Sequence, residues 1–200
     1  MESRHCASTK KRLRANRERV TTAAEIEAHY QRNWGNAGVR CLFNKGPATE
    51  LPADFAILKF PPRSNRQMWT FATRCMGQDG DREPLELHCF SATDAAPLVE
   101  MLYAVAHFHR TDSTLGLGHT VNIGRPWWEG SGLSFGLVSL PYLNGPALEY
   151  MAGHSRRFLW LIPLFEREVN FKRTMGLEAL EQALERAGFN YLDAMRSSVV

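Results

Sequence analysis

Four histidines are the first candidates for chemistry in this sequence, because imidazole is a common zinc ligand and a common general base. His107 and His109 form an H-x-H pair, but two residues apart on a helix their side chains point about 200° apart and cannot bind one ion together. His88 and His119 lie on other segments and would join His107 only through tertiary folding. The sequence favours histidines without a metal, and a metal-dependent hydrolase that uses His88, His107 and His119 stays open as an alternative.

Other catalytic patterns are incomplete. Residues 130–132, Gly-Ser-Gly, lack the framing residues of a G-x-S-x-G nucleophile motif and the strand that precedes it. Residues 116–118, Gly-Leu-Gly, lack the third glycine and the following helix of a dinucleotide-binding loop. Glu166 and Glu168 open a predicted helix, where carboxylates favour the helix dipole, so we interpret them as structural. The sequence thus predicts no catalytic residue and no cofactor.

A glycine-rich stretch over residues 116–142 gathers residue types that carry binding energy at protein interfaces. Arginine and large, rigid aromatic side chains are prominent among such residues, and glycines allow the backbone conformations that present them. Paired tryptophans in a loop also commonly fill the edge of a core, so a structural role is the alternative for each. The predicted partner-contact residues are His119, Arg125, Trp127, Trp128 and Tyr142.

Charge is unevenly distributed along the 200 residues, which hold 24 lysines and arginines and 21 aspartates and glutamates. Residues 1–20 contain seven of the basic and two of the acidic side chains, a net of +5. That leaves 17 basic and 19 acidic side chains, a net of −2, for residues 21–200. We therefore predict a flexible basic arm over 1–20 and one domain over 21–200. The charge of the domain speaks against nucleic-acid binding, except through the arm.

Cysteine spacing and hydropathy predict a cytoplasmic protein. The four cysteines are too far apart for a C-x-x-C pair, and free thiols fit a reducing compartment. We interpret Cys41 and Cys89, which lie in apolar strand-like runs, as small core residues. The longest apolar segments, over 98–108 and 158–165, are shorter than the ~18 residues that a membrane span needs, so no membrane contact is predicted.

Two amphipathic patterns predict the first and last helices. The first helix spans 23–34, begins at a Thr21 or Thr22 cap and ends at Gly35. The last has glutamates on its outer face, and Gly188 stops it. Its apolar stripe consists of Leu177, Leu180, Leu184 and Ala187.

The sequence also predicts a central helix that begins at a Thr93 or Asp94 cap and runs to His109, with Pro97 tolerated in its first turn. Apolar residues surround it on nearly all sides, as in a helix buried in the middle of a domain. Its narrow polar face consists of Glu100, Tyr103 and His107.

Short apolar or alternating segments predict the strands. Over 85–90, Leu85, Leu87 and Cys89 face one side while Glu86 and His88 face the other, which predicts a strand buried on one face. The order of strands and helices favours an α+β fold with a mixed or antiparallel sheet over a doubly wound one. The predicted strands span 39–43, 55–60, 68–73, 85–90, 115–123, 133–140 and 158–163.

Residues 115–127, LGLGHTVNIGRPW, resemble the most characteristic motif of the suppressor-of-fused family. The resemblance extends over residues 25–200, and the ending at 176–200 is similar to the tail of short bacterial members. Supporting segments are similar to family motifs in the same order: WTFAT at 69–73, ELH at 86–88, LPY at 140–142 and FLWLIP at 158–163.

The resemblance implies an α+β domain that binds proteins and is not an enzyme. Two-domain animal members of this family hold a transcription factor in the cytoplasm, and short bacterial members are proposed to bind and neutralise a cognate polymorphic toxin. A chain of 200 residues has no room for the second domain. The resemblance therefore favours a single-domain immunity protein, and a regulator that sequesters a transcription factor is the alternative.

Overall fold

The computed structural model describes residues 20–42 and 50–200. The predicted arm over 1–20 lies outside the described residues except for Val20, and so does the end of the first predicted strand at position 43. Within the described residues the chain forms five helices and seven strands. In chain order these are α1 (Ala23–Trp34), β1 (Val39–Cys41), β2 (Ala56–Phe60), β3 (Trp69–Arg74), β4 (Leu85–Ser91), α2 (Ala96–Thr111), β5 (Thr120–Asn122), β6 (Phe135–Ser139), α3 (Pro146–Glu149), β7 (Arg157–Leu164), α4 (Glu166–Met175) and α5 (Leu177–Arg186).

The strands form one sheet in the order β1-β2-β3-β4-β7-β6-β5. Neighbouring strands are antiparallel except β4 and β7, which run parallel with Leu87 opposite Leu159. A parallel pair needs a long crossover connection, and here the chain passes through α2, β5, β6 and α3 before β7 returns to the middle of the sheet. The predicted α+β class with a mixed sheet is confirmed.

Helices cover both faces of the sheet. On one face α2 contributes Leu102 to the largest core cluster, together with Phe71 of β3 and Leu87 of β4. On the opposite face, Tyr30 of α1 belongs to a second cluster over β2 and β3. Beside it, Leu184 of α5 belongs to a third cluster over β6 and β7. The sheet is therefore buried from both sides along most of its width.

Helix α1 has the ends that the sequence predicts. The Thr22 hydroxyl accepts a hydrogen bond from the Glu25 amide (3.2 Å), and the Glu25 carboxylate accepts one from the Thr22 amide (2.9 Å). This capping box satisfies two amide donors that the first helical turn would otherwise leave free. At the other end Gly35 adopts φ 76, and its amide donates to the Gln31 carbonyl. The N-terminal capping box and the C-terminal glycine each involve residues that are close together in the sequence.

Helix α2 begins later than predicted, and the predicted Thr93 or Asp94 cap is wrong. Ala95 precedes the helix and makes no side-chain cap. Instead, the Asp94 carboxylate accepts from the Lys59 ammonium at 2.8 Å. Pro97 in the first turn lacks an amide hydrogen, so this position needs no cap. Tyr103 is also 4% exposed, and does not lie on an exposed polar face.

Strand β4 is buried on both faces, so the prediction of a half-buried strand is wrong. Cys89 lies in the core under α2, as predicted, and Cys41 packs against the same cluster at its border. On the opposite face Glu86 and His88 are also fully buried. The His88 ring lies 5.6 Å from the ring of Trp34 on α1. Alternation of polar and apolar residues indicated the strand, but α1 covers the face that would otherwise meet water.

Glu86 is buried with a full set of donors. Its carboxylate accepts from the Arg156 guanidinium (2.6 Å), the Thr73 hydroxyl (2.6 Å) and the Met76 amide (3.1 Å). Arg156, itself 2% exposed, also donates to the Gly77 carbonyl at 2.7 Å. A buried carboxylate is tolerated only when it is paired in this way. The network therefore ties the β3–β4 connection to the residue that precedes β7.

A second buried carboxylate connects α4 to the C-terminal segment. Glu168 accepts two hydrogen bonds from the Arg196 guanidinium (2.7 and 2.8 Å). It also accepts from the amides of Phe165 (2.9 Å) and Val199 (3.0 Å). Burial by itself would raise the pKa of Glu168, but these donors hold its pKa below the usual value. The structural interpretation of Glu168 is confirmed.

We expect Arg156→Met to destabilise the domain by about 3–5 kcal/mol, because it leaves the Glu86 carboxylate buried without its cationic partner. The free energy of unfolding in urea measures the effect. Arg125→Met is the control, since the ion pair between Arg125 and Glu100 is about half exposed and contributes about 0–1 kcal/mol. Equal losses of unfolding free energy in the two variants would show that the buried ion pair stabilises the domain no more than the exposed one.

We expect the stability contribution of Glu168 to depend on acid pH. Because its folded-state pKa is lowered, the carboxylate stabilises the fold fully above the unfolded pKa of about 4.3. That stability is lost as the pH falls through the lower folded-state pKa. Unfolding free energies between pH 7 and pH 3 should show a gap between wild type and Glu168→Gln that narrows in acid. The exposed neighbour Glu166, changed to Gln, should give no such trend, and a constant gap for Glu168→Gln would contradict the assignment.

Candidate partner-binding site

A turn precedes the edge strand β5 and carries His119, the first predicted contact residue. The sequence predicts a strand over 115–123, but only Thr120–Asn122 is a strand. Gly118 adopts φ 79, and the His119 amide donates to the Gly116 carbonyl at 3.0 Å. This left-handed residue turns the chain before the strand begins. The His119 side chain is exposed.

Strand β5 has an open outer edge. It pairs with β6 through Val121 opposite Gly136, and the His119 carbonyl and Ile123 amide also bond towards β6. Because the hydrogen bonds of an antiparallel pair alternate, the backbone groups of Thr120 and Asn122 point away from the sheet. No other strand among the described residues lies beyond β5. Such an edge can accept an extended segment of another chain.

Trp127 fixes the loop that follows β5. Its ring is 3% exposed, and its Nε1–H donates to the Phe135 carbonyl at 2.9 Å. The ring lies over Gly136, where an added Cβ would come within 3.4 Å of it. In this conformation Trp127 offers no surface to a partner. Its contacts are those expected if the tryptophan fills the edge of the core and holds the loop. Its contact with a partner stays a prediction.

Among the predicted contact residues of this loop, Arg125 is exposed and Trp128 is partly accessible. The Arg125 guanidinium lies 3.1 Å from the Glu100 carboxylate of α2, in an ion pair whose side chains are 47% and 51% exposed. Exposed ion pairs are weak, so a carboxylate of another protein could replace Glu100. The partly buried Trp128 ring stacks on Trp127 with 5.7 Å between ring centroids.

Tyr142 borders a groove of about 540 Å³ between α5 and the neighbouring face of β6 and β7. Its side chain is 56% exposed, and that of Leu143 is 46% exposed. Partial burial and the neighbouring Glu181 carboxylate raise the pKa of the Tyr142 phenol. The described residues that line the groove are Ser139, Tyr142, Leu143, Trp160, Ile162, Glu178, Glu181, Gln182, Leu184, Glu185, Gly188, Phe189 and Tyr191.

The five predicted contact residues therefore fall into two groups at the two ends of β5. His119 opens the strand and lies opposite Val138, close to the end of β6 that leads to Tyr142. Arg125, Trp127 and Trp128 follow its other end. Three residues of strand span about 10 Å, so the open edge of β5 connects the two groups.

Sequence reasoning missed the aromatic floor and acidic border of the groove. Trp160 lies in β7, whereas Phe189 and Tyr191 follow α5. The Trp160 ring lies 6.3 Å from the Phe189 ring and 5.3 Å from the Tyr191 ring. The available signal was the glutamate-rich outer face of α5 followed by two aromatic residues, but only the fold brings them beside β7.

The structure does not bring the three histidines of the hydrolase alternative together. His88 is buried on the face of the sheet that α1 covers. His107 lies on α2, which packs on the opposite face, and its Nε2 is 3.0 Å from the Glu50 carboxylate. Within residues 20–42 and 50–200, no group of three or more histidine, cysteine, aspartate or glutamate side chains could hold a metal ion. The described residues therefore do not form the cluster of three histidines that the hydrolase alternative requires.

An α+β domain whose sheet ends in the accessible strand β5 and that also carries an apolar groove is a scaffold suited to binding other polypeptides. The described helices are all too short or too polar to cross a membrane. The chain belongs to the suppressor of fused family, because the family model described as suppressor of fused protein matches residues 52–197. This family consists of protein-interaction domains.

Solved structures agree with the family assignment. A suppressor of fused homologue from Neisseria gonorrhoeae FA 1090 is 31% identical, with a TM-score of 0.79, and the match covers 89% of this chain and 96% of that chain. The recognition of a suppressor-of-fused protein from its motifs is thereby confirmed. No match was found among curated proteins.

Two more distant structures share the fold. A chain of the Sufu–Fu complex is 14% identical with a TM-score of 0.66, over 88% of this chain and 91% of that chain. Drosophila Suppressor of Fused is also 14% identical, with a TM-score of 0.61, over 87% of this chain. The match covers 50% of the Drosophila chain, so this chain spans about half the length of that protein.

We expect Trp127→Ala to destabilise the domain by about 3–5 kcal/mol, since it removes a buried ring and a hydrogen bond. Trp128→Ala is the matched variant, and its smaller loss follows from its partial exposure. Urea unfolding of both variants measures the difference. Comparable losses would contradict the assignment of Trp127 as the residue that holds the loop.

Proposed function

We propose that this chain is a bacterial immunity protein that binds a cognate toxin in the cytoplasm and neutralises it. The single observation that carries the proposal is the open edge of β5, with the exposed His119 at one end and the exposed Arg125 at the other. The match to the Neisseria gonorrhoeae homologue, which covers 96% of that chain, supports a protein of the bacterial type.

Neutralisation proceeds by occlusion. An extended segment of the toxin pairs with the outward backbone groups of Thr120 and Asn122, and this pairing places the partner against the loop after β5. There Trp128 supplies apolar contact, and Arg125 exchanges Glu100 for an acidic group of the toxin. Occlusion of an active surface needs complementary packing and charge but no cofactor.

Co-expression tests the proposal. Neighbouring genes are searched for large secreted proteins, and the toxin domains of any that are found are expressed in a bacterial host with and without the chain. We expect one of them to arrest growth alone and the full chain to restore growth, and purified toxin to bind the purified chain. Failure of the wild-type chain to restore growth or to bind any of them would overturn the proposal.

The double variant Arg125→Glu/Trp128→Ala should weaken toxin binding at least tenfold, because arginine and tryptophan are the residue types that concentrate binding energy at interfaces. Isothermal titration with the toxin from the co-expression test measures the change. Arg82→Glu is the charge-matched control, since Arg82 is exposed on the β3–β4 connection, away from β5. Unchanged affinity in the double variant would exclude the loop after β5 from the interface.

A further inference from the structure

The groove beside α5 combines an apolar floor with accessible walls. Trp160 and Ile162 of β7 are buried beneath it, and the partly buried Phe189 and Tyr191 close one side. Tyr142 and Leu143 are large side chains of which about half is exposed. A volume of about 540 Å³ is enough for several apolar side chains of a peptide. The shape therefore suits an apolar segment.

The border of the groove is acidic and has no basic residue to balance it. Glu178, Glu181 and Glu185 line it along one face of α5, and none of the described lining residues is a lysine or an arginine. Within the described chain, the three carboxylates form no ion pair with a lysine, arginine or histidine. Glu181 accepts instead from the neutral Ser139 hydroxyl at 2.9 Å. The groove thus favours a ligand that carries positive charge beside its apolar groups.

The groove also lies close to the turn that precedes β5. An added Cβ on Gly118, in the turn before β5, would lie 3.1 Å from the Leu177 side chain at the start of α5. His119 follows Gly118 and lies opposite Val138 of β6. Ser139, the residue after Val138, lines the groove. The groove and the open edge of β5 therefore meet near the turn that carries His119.

We propose that the groove binds a short segment of the protein partner in which large apolar side chains are flanked by lysine or arginine. This inference rests on the proposed protein-binding function and names the chemistry of what is bound. The apolar side chains contact Trp160 and Phe189, while the basic ones pair with the carboxylates of α5.

The basic residues 1–19 of the same chain fit the groove less well. They match its charge, but their large apolar side chains are only Met1 and Leu13, and they include no phenylalanine, tyrosine or tryptophan. Such a segment would leave most of the aromatic floor unfilled. An external segment that is both apolar and basic matches both properties.

Fluorescence anisotropy of the full chain with labelled twelve-residue peptides tests the proposal. In the first peptide, pairs of lysines alternate with pairs made of one leucine and one phenylalanine. The second peptide has glutamate in place of each lysine. The third has serine in place of each leucine and phenylalanine. We expect only the first to bind at micromolar concentration, more weakly at higher salt because screening reduces charge pairing. Equal binding of the serine peptide would show that charge alone attracts the probe and would overturn the proposal.

Matched charge variants locate the site. The triple variant Glu178→Gln/Glu181→Gln/Glu185→Gln should bind the first peptide at least tenfold more weakly. The control Asp54→Asn/Glu83→Gln/Glu166→Gln removes the same charge from exposed residues outside the groove and outside the loop after β5, and it should bind within twofold of wild type. Equal weakening in both triple variants would overturn the proposal.

Three further measurements complete the test. Leu143→Ser keeps every carboxylate and should still weaken binding severalfold, because it removes an exposed apolar wall; unchanged binding would count against the groove. A synthetic peptide of residues 1–19 should fail to displace the first peptide, and displacement at equal concentration would make the arm the occupant and overturn the proposal. Growth rescue by the Glu178/Glu181/Glu185 variant would defeat this inference alone, whereas failure of rescue by wild type would defeat the proposed function.

Discussion

The parallel contact between β4 and β7 is the constraint on which the remaining structure depends. It joins two antiparallel halves of the sheet, β1–β4 and β7–β6–β5, into one. The contact is fixed at its start by the pair of Glu86 and Arg156 and by the bond from the Arg157 amide to the Pro84 carbonyl (2.9 Å). Because β7 occupies the position beside β4, β5 is left at the rim of the sheet with its outer backbone groups exposed. The proposed interface is thus a consequence of where β7 inserts.

Local chemistry made a large part of the fold predictable. The ends of α1 depend on Thr22, Glu25 and Gly35, which interact within a few residues along the chain, so the sequence indicates both ends. The predicted cap of α2 was wrong because Asp94 pairs with a distant residue, Lys59, which no local pattern reveals. The prediction that β4 is buried on one face only was wrong for the same reason, since the helix that covers Glu86 and His88 lies more than fifty residues earlier in the chain.

The candidate site was predictable only in part. The residue types of the loop after β5 indicated binding, but they did not reveal that Trp127 points into the core while Arg125 stays exposed. The groove was beyond reach of local patterns, because its floor and walls come from β7, α5 and the segments after β6 and α5. These parts of the chain acquire a common surface only through the topology of the sheet.

The Glu168–Arg196 contact acts on this surface from a distance. Phe189 and Tyr191 belong to a segment that α5 holds at one end and the guanidinium of Arg196 holds at the other. One side of the groove is therefore anchored by a charge pair outside it. If the groove binds the proposed segment, loss of this anchor would change the affinity in a variant whose substituted residue never touches the ligand. A mutational scan that equates lost binding with direct contact would misassign that residue.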